Sequence, residues 1–147
     1  MVQGHCLCGK VRFEVSGYLG STRLCYCELC RRANGSAFSA NVRVPASSYK
    51  LLSGAELIRE YESSPGAFRA FCSLCGSPVY ARVISDPDYT RVRLGTPDTD
   101  ANAMVAAHVW VRSKPHWYEI TDDLSQYEQA APRKKEVPVP KITMELE

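Results

Sequence analysis

Short runs in which apolar and polar residues alternate recur along the chain, and this period of two is typical of half-buried β-strands. The clearest run, residues 11–15, alternates apolar with charged residues and ends at Ser16-Gly17. Ser63-Ser64-Pro65-Gly66 separates two further runs and predicts a hairpin turn. The pattern predicts strands over residues 11–15, 38–44, 50–52, 57–61, 67–72, 79–84, 90–94 and 106–111.

Helical patterns are few. Residues 27–34, followed by Gly35, predict one short helix with glycine after its last turn, and residues 101–107 favour the start of a helical turn. Nine Gly and nine Pro lie between the short strands. We therefore predict an all-β fold, mainly β with few short helices, in which the strands form several twisted antiparallel sheets. Four aromatic residues are expected in its core, with a ligand pocket lined by one of them as the alternative: Phe71, Tyr80, Trp110 and Trp117.

A chain of 147 residues, 45% hydrophobic and 23% charged, has the size and composition of one globular domain. We place that domain at residues 1–130 and expect residues 131–147, which carry Lys, Glu and Pro, to form a tail or a strap across the surface. No run approaches the ~18 apolar residues that span a membrane, and no basic segment leads into an apolar run near residue 1. We therefore expect no membrane insertion, no signal peptide and a cytoplasmic, reducing location.

Seven cysteines in three tight groups carry the candidate chemistry. In a reducing compartment, grouped cysteines are more often metal ligands or catalytic residues than disulfide partners. Structural zinc takes four protein ligands, whereas catalytic zinc takes three and keeps one open position. Seven cysteines therefore predict two zinc ions, one in a closed site and one in an open site. The groups are Cys6 and Cys8; Cys25, Cys27 and Cys30; and Cys72 and Cys75.

The first and last groups are alike. Each ends in a cysteine followed by glycine, which permits a sharp turn, and each leads straight into a predicted strand. Two such turns can face each other across one zinc, so they predict a closed, structural site on Cys6, Cys8, Cys72 and Cys75.

The middle group has no glycine after any cysteine. Cys27 and Cys30 are three residues apart, so one helical turn would place both on the same face, and Cys25 would reach in from the preceding strand. These three thiolates form a tripod that no remaining cysteine can complete. They therefore predict an open, catalytic zinc site on Cys25, Cys27 and Cys30.

Other uses of the cysteines are weaker. Disulfides leave one cysteine over, and Cys-x-Cys pairs are poorly placed to bridge each other. A thioredoxin-like role for Cys72-x-x-Cys75 would need a strand-to-helix context, whereas Gly-Ser-Pro and a strand follow here. A third alternative stays open, in which a histidine fills the fourth position of the middle site and makes it structural. The candidates are His5, His108 and His116.

The charge of the chain changes when metal is bound. Seven thiolates and two zinc ions would lower the formal charge from +2 to about −1, and this near-neutral charge argues against general nucleic-acid binding. A local patch from Arg23, Arg31 and Arg32 stays open. Arg31 and Arg32 directly follow Cys30 and are candidates for binding the carboxylates of a thiol substrate, with a solvated surface as the alternative.

Four segments together resemble one known family. They read GHCLCGKVRF at 4–13, CYCELCRRANGSAF at 25–38, FCSLCGSP at 71–78, and HVWVRSKPHWYEI at 108–120 with LSQY at 124–127. The chain resembles the glutathione-dependent formaldehyde-activating enzyme family, also called the GFA or CENP-V/GFA domain. The resemblance implies a fold of the β-tent type organised around zinc, with the structural and catalytic zinc ligands assigned above. It also implies a carbon–sulfur lyase that adds glutathione to formaldehyde and gives S-hydroxymethylglutathione.

One departure from the family pattern falls inside the middle group, where Tyr26 stands in place of the usual histidine. We predict a zinc-dependent lyase in which a small thiol, with glutathione the first candidate, binds at the open zinc and is added to a small aldehyde. The alternatives are a non-catalytic zinc module that binds protein or nucleic acid, and a zinc/thiol redox sensor. A homo-oligomer stays open.

Charge raises one objection to this prediction. Three thiolates around a zinc ion already give the site a net charge of about −1, which disfavours a fourth thiolate. Nearby N–H donors or an arginine would have to offset that charge.

Overall fold

Eleven strands, one α-helix and three short 3-10 helices occupy the part of the chain that the computed structural model describes, residues 1–99 and 103–132. The helix α1 is Glu28–Asn34. The strands are β1 Val2–His5, β2 Arg12–Val15, β3 Ser21–Cys25, β4 Ser39–Pro45, β5 Tyr49–Ser53, β6 Ile58–Ser64, β7 Ala67–Cys72, β8 Pro78–Val83, β9 Tyr89–Arg93, β10 Met104–Val109 and β11 Ser125–Tyr127.

These strands form two sheets. The smaller has the order β1-β2-β5, and the larger has the order β11-β10-β3-β4-β9-β8-β7-β6. The predicted mainly β architecture with several sheets and one short helix is confirmed. Strand β10 departs from the antiparallel pattern, because it pairs in parallel with both β3 and β11. Alternation along a strand specifies which side chains are buried, but it does not specify the direction of the neighbouring strand.

The hydrophobic core lies between the two sheets. Phe13 of β2 is fully buried, and its ring stacks on Tyr49 of β5 with 5.3 Å between centroids. Valines from the facing side of the large sheet complete the same cluster, among them Val42 and Val92. Cys72 is fully buried in this core as well. The core therefore connects directly to the cysteines at the ends of the strands.

The opposite face of the large sheet carries arginines. Residues that pair directly across neighbouring strands share one face. Cys25 pairs with Ser39, and Asn41, two residues further along β4, pairs with Arg93. Further along the same face, Arg43 of β4 lies opposite Arg91 of β9. Ala81 of β8 lies opposite both Arg91 and, on its other side, Arg69 of β7. We call this side of the sheet the arginine face, and it is defined by Arg43, Arg69, Arg91 and Arg93.

Several local predictions can be compared with the structure. The helix predicted over residues 27–34 is α1, and Gly35 ends it in the left-handed region at φ 60°. The helical turn predicted over residues 101–107 is wrong from residue 104 onward, because Met104–Val109 is strand β10. Trp117 is 66% exposed, so its expected place in the core is wrong too, whereas Phe71, Tyr80 and Trp110 are half-buried. The strands β1 and β11 were not predicted, and β3 was anticipated only as a strand preceding Cys25, without bounds.

The proposed division into residues 1–130 and 131–147 stays a prediction, since residues 133–147 lie outside the described residues. Within residues 1–99 and 103–132, no helix has the length and apolar character needed to cross a membrane.

Candidate metal centres

The first and last cysteine groups converge on one point, at the end of the core. The sulfur atoms of all four lie within 4.8 Å of one another, and we call them the four-cysteine cluster. The Cys6 and Cys8 sulfurs are 3.4 Å apart, and those of Cys8 and Cys72 are 3.9 Å apart. A zinc ion bound tetrahedrally at about 2.3 Å per sulfur would separate its ligands by roughly 3.8 Å. The sulfur spacing therefore fits such an ion and is far too long for a disulfide of about 2.05 Å.

Two similar turns build this cluster. The amide of Gly9 donates to the Cys6 carbonyl at 2.9 Å, and the amide of Gly76 donates to the Cys72 carbonyl at 2.8 Å. Both glycines have positive φ, 75° and 72°, which side-chain-bearing residues rarely adopt. The Val11 amide also points at the Cys6 sulfur, at 3.4 Å. The glycine after each group therefore allows both turns to aim their sulfurs inward.

The middle group forms a second cluster. The sulfur atoms of Cys25, Cys27 and Cys30 lie within 4.8 Å of one another, and we call them the three-cysteine cluster. Cys25 ends β3, Cys27 is the N-cap of α1, and Cys30 lies on its first turn. The Cys27 sulfur accepts a hydrogen bond from the Cys30 amide at 3.4 Å. The helical turn expected from the sequence thus places these sulfurs together.

Positive charge lies against this cluster. The Nη2 atom of Arg69, on β7, donates to the Cys30 sulfur at 3.7 Å. Hydrogen bonds from the Cys25 and Cys27 thiols, with added attraction from Arg69, lower the pKa of Cys30 well below its ordinary value. Arg93 is only 4% exposed and donates to the Ser39 hydroxyl at 2.9 Å. Sequence reasoning missed both arginines, because strand alternation places them on a face without saying what that face contacts.

Two of the three candidate histidines have other partners. Both ring nitrogens of His108 are engaged, Nδ1 with the Tyr26 hydroxyl at 2.8 Å and Nε2 with Asp122 at 3.0 Å. The Nε2 atom of His5 lies 3.2 Å from Asp98. Among residues 1–99 and 103–132, no histidine joins the three-cysteine cluster. The alternative of a histidine as fourth ligand therefore gains no support.

Tyr26 has a structural environment rather than a metal-binding one. Its side chain is fully buried, and its ring lies 5.5 Å from that of Phe38 and 6.0 Å from that of Tyr118. Burial raises the pKa of the Tyr26 phenol. The hydroxyl connects through His108 to Asp122, whose side chain is about half exposed. Tyr26 therefore anchors the loop between two of the clustered cysteines to strand β10. No pattern in the sequence indicated that Asp122 would contact His108.

A shallow groove of about 280 Å³ lies on the C-terminal half of α1. Arg31 and Arg32, which were predicted to contact substrate, both line it, and so does the exposed indole of Trp117. The Nε atom of Arg31 is buried and has no hydrogen-bond partner within the described part of the chain. Arg32 is held by Glu28 at 2.7 Å. Trp117 thus lines a pocket, which was the alternative prediction for one of the four aromatic residues.

Fold and site together define a small, mainly β protein in which two clusters of cysteines could each hold a metal ion. The sequence model of the GFA family, described as glutathione-dependent formaldehyde-activating enzyme, matches residues 1–113. The chain belongs to this family.

Individual relatives agree with that assignment. The chain is 31% identical to a Halomonas elongata protein named "Putative glutathione-dependent formaldehyde-activating enzyme" over 129 residues, which cover 82% of this chain and 81% of that one. It is 25% identical to an "Uncharacterized lyase" of Schizosaccharomyces pombe, with 85% and 89% covered. A crystal structure of a Rhodobacter sphaeroides protein superimposes with a TM-score of 0.55 at 27% identity, covering 63% of this chain and 84% of that one.

Proposed function

We propose that the protein is a zinc-dependent carbon–sulfur lyase that adds a small thiol, with glutathione the first candidate, to a small aldehyde such as formaldehyde. The reaction would resemble that of S-(hydroxymethyl)glutathione synthase. Family membership and the names of the two relatives support the reaction class. The observation that carries the proposal is the three-cysteine cluster, which no fourth Cys, His, Asp or Glu of the described residues completes.

The two clusters would have different roles, one structural and one catalytic. The four-cysteine cluster would hold a structural zinc, since four thiolates close a tetrahedral site. The three-cysteine cluster would hold the catalytic zinc. A zinc ion with one open position lowers the pKa of a bound thiol and keeps it nucleophilic at neutral pH.

The groove on α1 supplies a place for the rest of the thiol. Arg31, which lines the groove, directly follows Cys30 in the sequence. The place of Arg31 in the groove supports a role in binding a carboxylate, because a guanidinium can donate two parallel hydrogen bonds to one. Arg32 would contribute charge at the rim, and the face of Trp117 would cover apolar parts of the ligand.

The redox-sensor alternative is less well supported. A sensing cysteine is usually accessible to small oxidants. Cys30 is only 8% exposed, and Cys25 and Cys27 are half-buried. The limited exposure of the three-cysteine cluster therefore gives the redox-sensor alternative less support.

Calorimetry on the zinc-loaded protein tests the proposal. Glutathione should bind to the native protein and release protons, so the measured heat should differ between two buffers of different ionisation enthalpy. Cys27→Ser should abolish binding, whereas the matched control Leu29→Ser, an exposed residue on the same helix, should leave it unchanged. Absence of heat with glutathione and with other small thiols would overturn the proposal in favour of a non-catalytic zinc module. If glutathione does bind, NMR exchange measurements would report any gain in the rate at which S-hydroxymethylglutathione forms.

A further inference from the structure

The charge of the three-cysteine cluster has to be balanced before an anionic ligand can join it. Three cysteine thiolates outweigh a divalent ion by one charge, and a bound thiolate would add another. In a partly buried site such charges interact strongly, because the effective dielectric constant is far below that of water. Cys30 is the most buried of the three ligands, at 8% exposure.

Arg69 is placed to provide that balance. Its Nη2 atom is 3.7 Å from the Cys30 sulfur, and its Nε atom donates to the Ser63 hydroxyl at 2.9 Å. The serine contact orients the guanidinium without neutralising it. No carboxylate of the described residues forms an ion pair with Arg69.

Arg93 is a second cation on the same face. It is 96% buried and donates to two neutral groups, the Ser39 hydroxyl at 2.9 Å and the side-chain amide oxygen Oδ1 of Asn41 at 2.7 Å. Its Nε atom has no hydrogen-bond partner within the described residues. Burial, with repulsion from Arg69, lowers the pKa of Arg93 to about 10, while Cys30 opposes the decrease. Arg93 therefore stays charged at neutral pH.

The remaining members of the arginine face are accounted for differently. Asp86 lies 2.9 Å from Arg43 and 2.8 Å from Arg91, so these two cations share one carboxylate. Among residues 1–99 and 103–132, Arg69 and Arg93 form no ion pair with a carboxylate, and the Cys30 thiolate attracts both cations. A cation buried without a counter-charge is costly, which points to an anionic partner at this position.

We propose that Arg69 and Arg93 are positioning residues whose charge offsets the three cysteine thiolates, so that a metal ion and then an anionic thiol can bind there. The part of this inference that concerns thiol binding rests on the proposed function. The part that concerns metal binding rests on the three-cysteine cluster alone. It also answers the charge objection raised by the sequence. The interaction acts at sulfur, and therefore it should not depend on what else the thiol carries.

Arg69→Gln is the central test, with Arg69→Lys as the charge-preserving variant. Arg82→Gln is the matched control, since Arg82 lies on the opposite face of the same sheet, paired with Glu60. Zinc affinity is measured by chelator competition, and thiol binding by calorimetry with glutathione and with 2-mercaptoethanol, whose tail is uncharged. In Arg69→Gln we expect the zinc affinity of the three-cysteine cluster and the affinity for both thiols to fall about ten-fold each. The four-cysteine cluster should be unaffected, Arg69→Lys should recover most of the loss, and Arg82→Gln should match the native protein.

The outcomes separate the two proposals. A native protein that binds neither thiol would defeat the proposed function. The zinc affinities of the native protein and Arg69→Gln would still test the role of Arg69. Unchanged zinc and thiol affinities in Arg69→Gln would overturn the inference and leave the proposed function standing. Loss of glutathione binding alone, with 2-mercaptoethanol and zinc unaffected, would also overturn it, because Arg69 would then be gripping a carboxylate. If Arg69→Gln does not fold, Arg93→Gln, whose amide can still bond to Ser39 and Asn41, carries the same expectations.

Discussion

The two cysteine clusters both present sulfur atoms, but they differ in how far apart their cysteines lie in the sequence. The four-cysteine cluster joins turns that are distant in sequence, since Cys8 and Cys72 are 64 positions apart. Two of its cysteines, Cys6 and Cys72, lie in the hydrophobic core. The three-cysteine cluster comes from residues 25–30 alone, beside arginines and a groove. A ligand set that ties distant segments together acts on folding, whereas a local set leaves the fold largely independent of its metal. Under the proposed function, this difference would separate a structural from a catalytic use of cysteine within one small domain.

The largest effect is expected from Cys72→Ser. This change breaks the link between the two distant turns and leaves a polar hydroxyl in a fully buried position. Structural zinc contributes on the order of 10 kcal/mol to small zinc domains, so we expect soluble yield and melting temperature to fall sharply and both metals to be lost together. Metal analysis and thermal denaturation measure this. An unchanged melting temperature would remove the structural role of the four-cysteine cluster.

Cys27→Ser should have a more limited effect. We expect loss of one zinc equivalent and of thiol binding, with a decrease in stability of only about 1–2 kcal/mol, because serine at this N-cap can still accept the Cys30 amide. Metal content and chemical denaturation, compared with Leu29→Ser, measure both. Loss of both metals in Cys27→Ser would show that the clusters are coupled and would break the contrast between them.

Tyr26→Phe tests whether the three-cysteine cluster is anchored to the sheet. Removing the hydroxyl leaves Nδ1 of the buried His108 without its partner, which costs roughly 1–3 kcal/mol. Zinc content should remain at the native level, since the ring still fills its site among Phe38 and Tyr118. Tyr61→Phe, an exposed tyrosine, is the control for denaturation experiments. Zinc loss in Tyr26→Phe with normal stability would instead give this residue a direct role at the metal.

The smallest effect on either cluster is expected from Asp86→Asn. Hydrogen bonds from Arg43, supported by Arg91, hold the pKa of Asp86 below its ordinary value. The native protein therefore gains stability from ionised Asp86 above about pH 4 and loses it as the pH falls through the lowered pKa. Asp86→Asn should remove that dependence and cost about 1–3 kcal/mol at neutral pH, with metal content unchanged. Urea titrations between pH 3 and 7 measure both, and Glu60→Gln, at the exposed Arg82 pair, should cost less.

Much of this organisation could be predicted from local sequence. Alternation located most strands, because one face of each must be buried. The glycines after Cys8 and Cys75 distinguished the two turns from the middle group. The helix over residues 27–34 followed from its cysteine spacing and its terminal Gly35.

Features that depend on long-range pairing could not be predicted in this way. The parallel position of β10 between β3 and β11 depends on where the chain re-enters the sheet. Arg69 is 39 positions from Cys30, and its approach depends on the order of β3, β4, β9, β8 and β7 in the large sheet. The same holds for Tyr26 and His108, which are 82 residues apart. Local patterns specify elements and their buried faces, while contacts between elements depend on topology.

The N-cap of α1 has a consequence for the stability of this helix. The helix has only seven residues, too few to be stable alone, and its first turn begins at a sulfur that is also a candidate metal ligand. The cap already forms through the Cys30 amide, so a metal ion at the same sulfur would add stability to a helix that is present without it. Arg31 and Arg32 lie on this helix, and their places in the groove would become more fixed when metal is bound. Amide hydrogen exchange in α1 should therefore be slower in the zinc-loaded protein than in the metal-free protein.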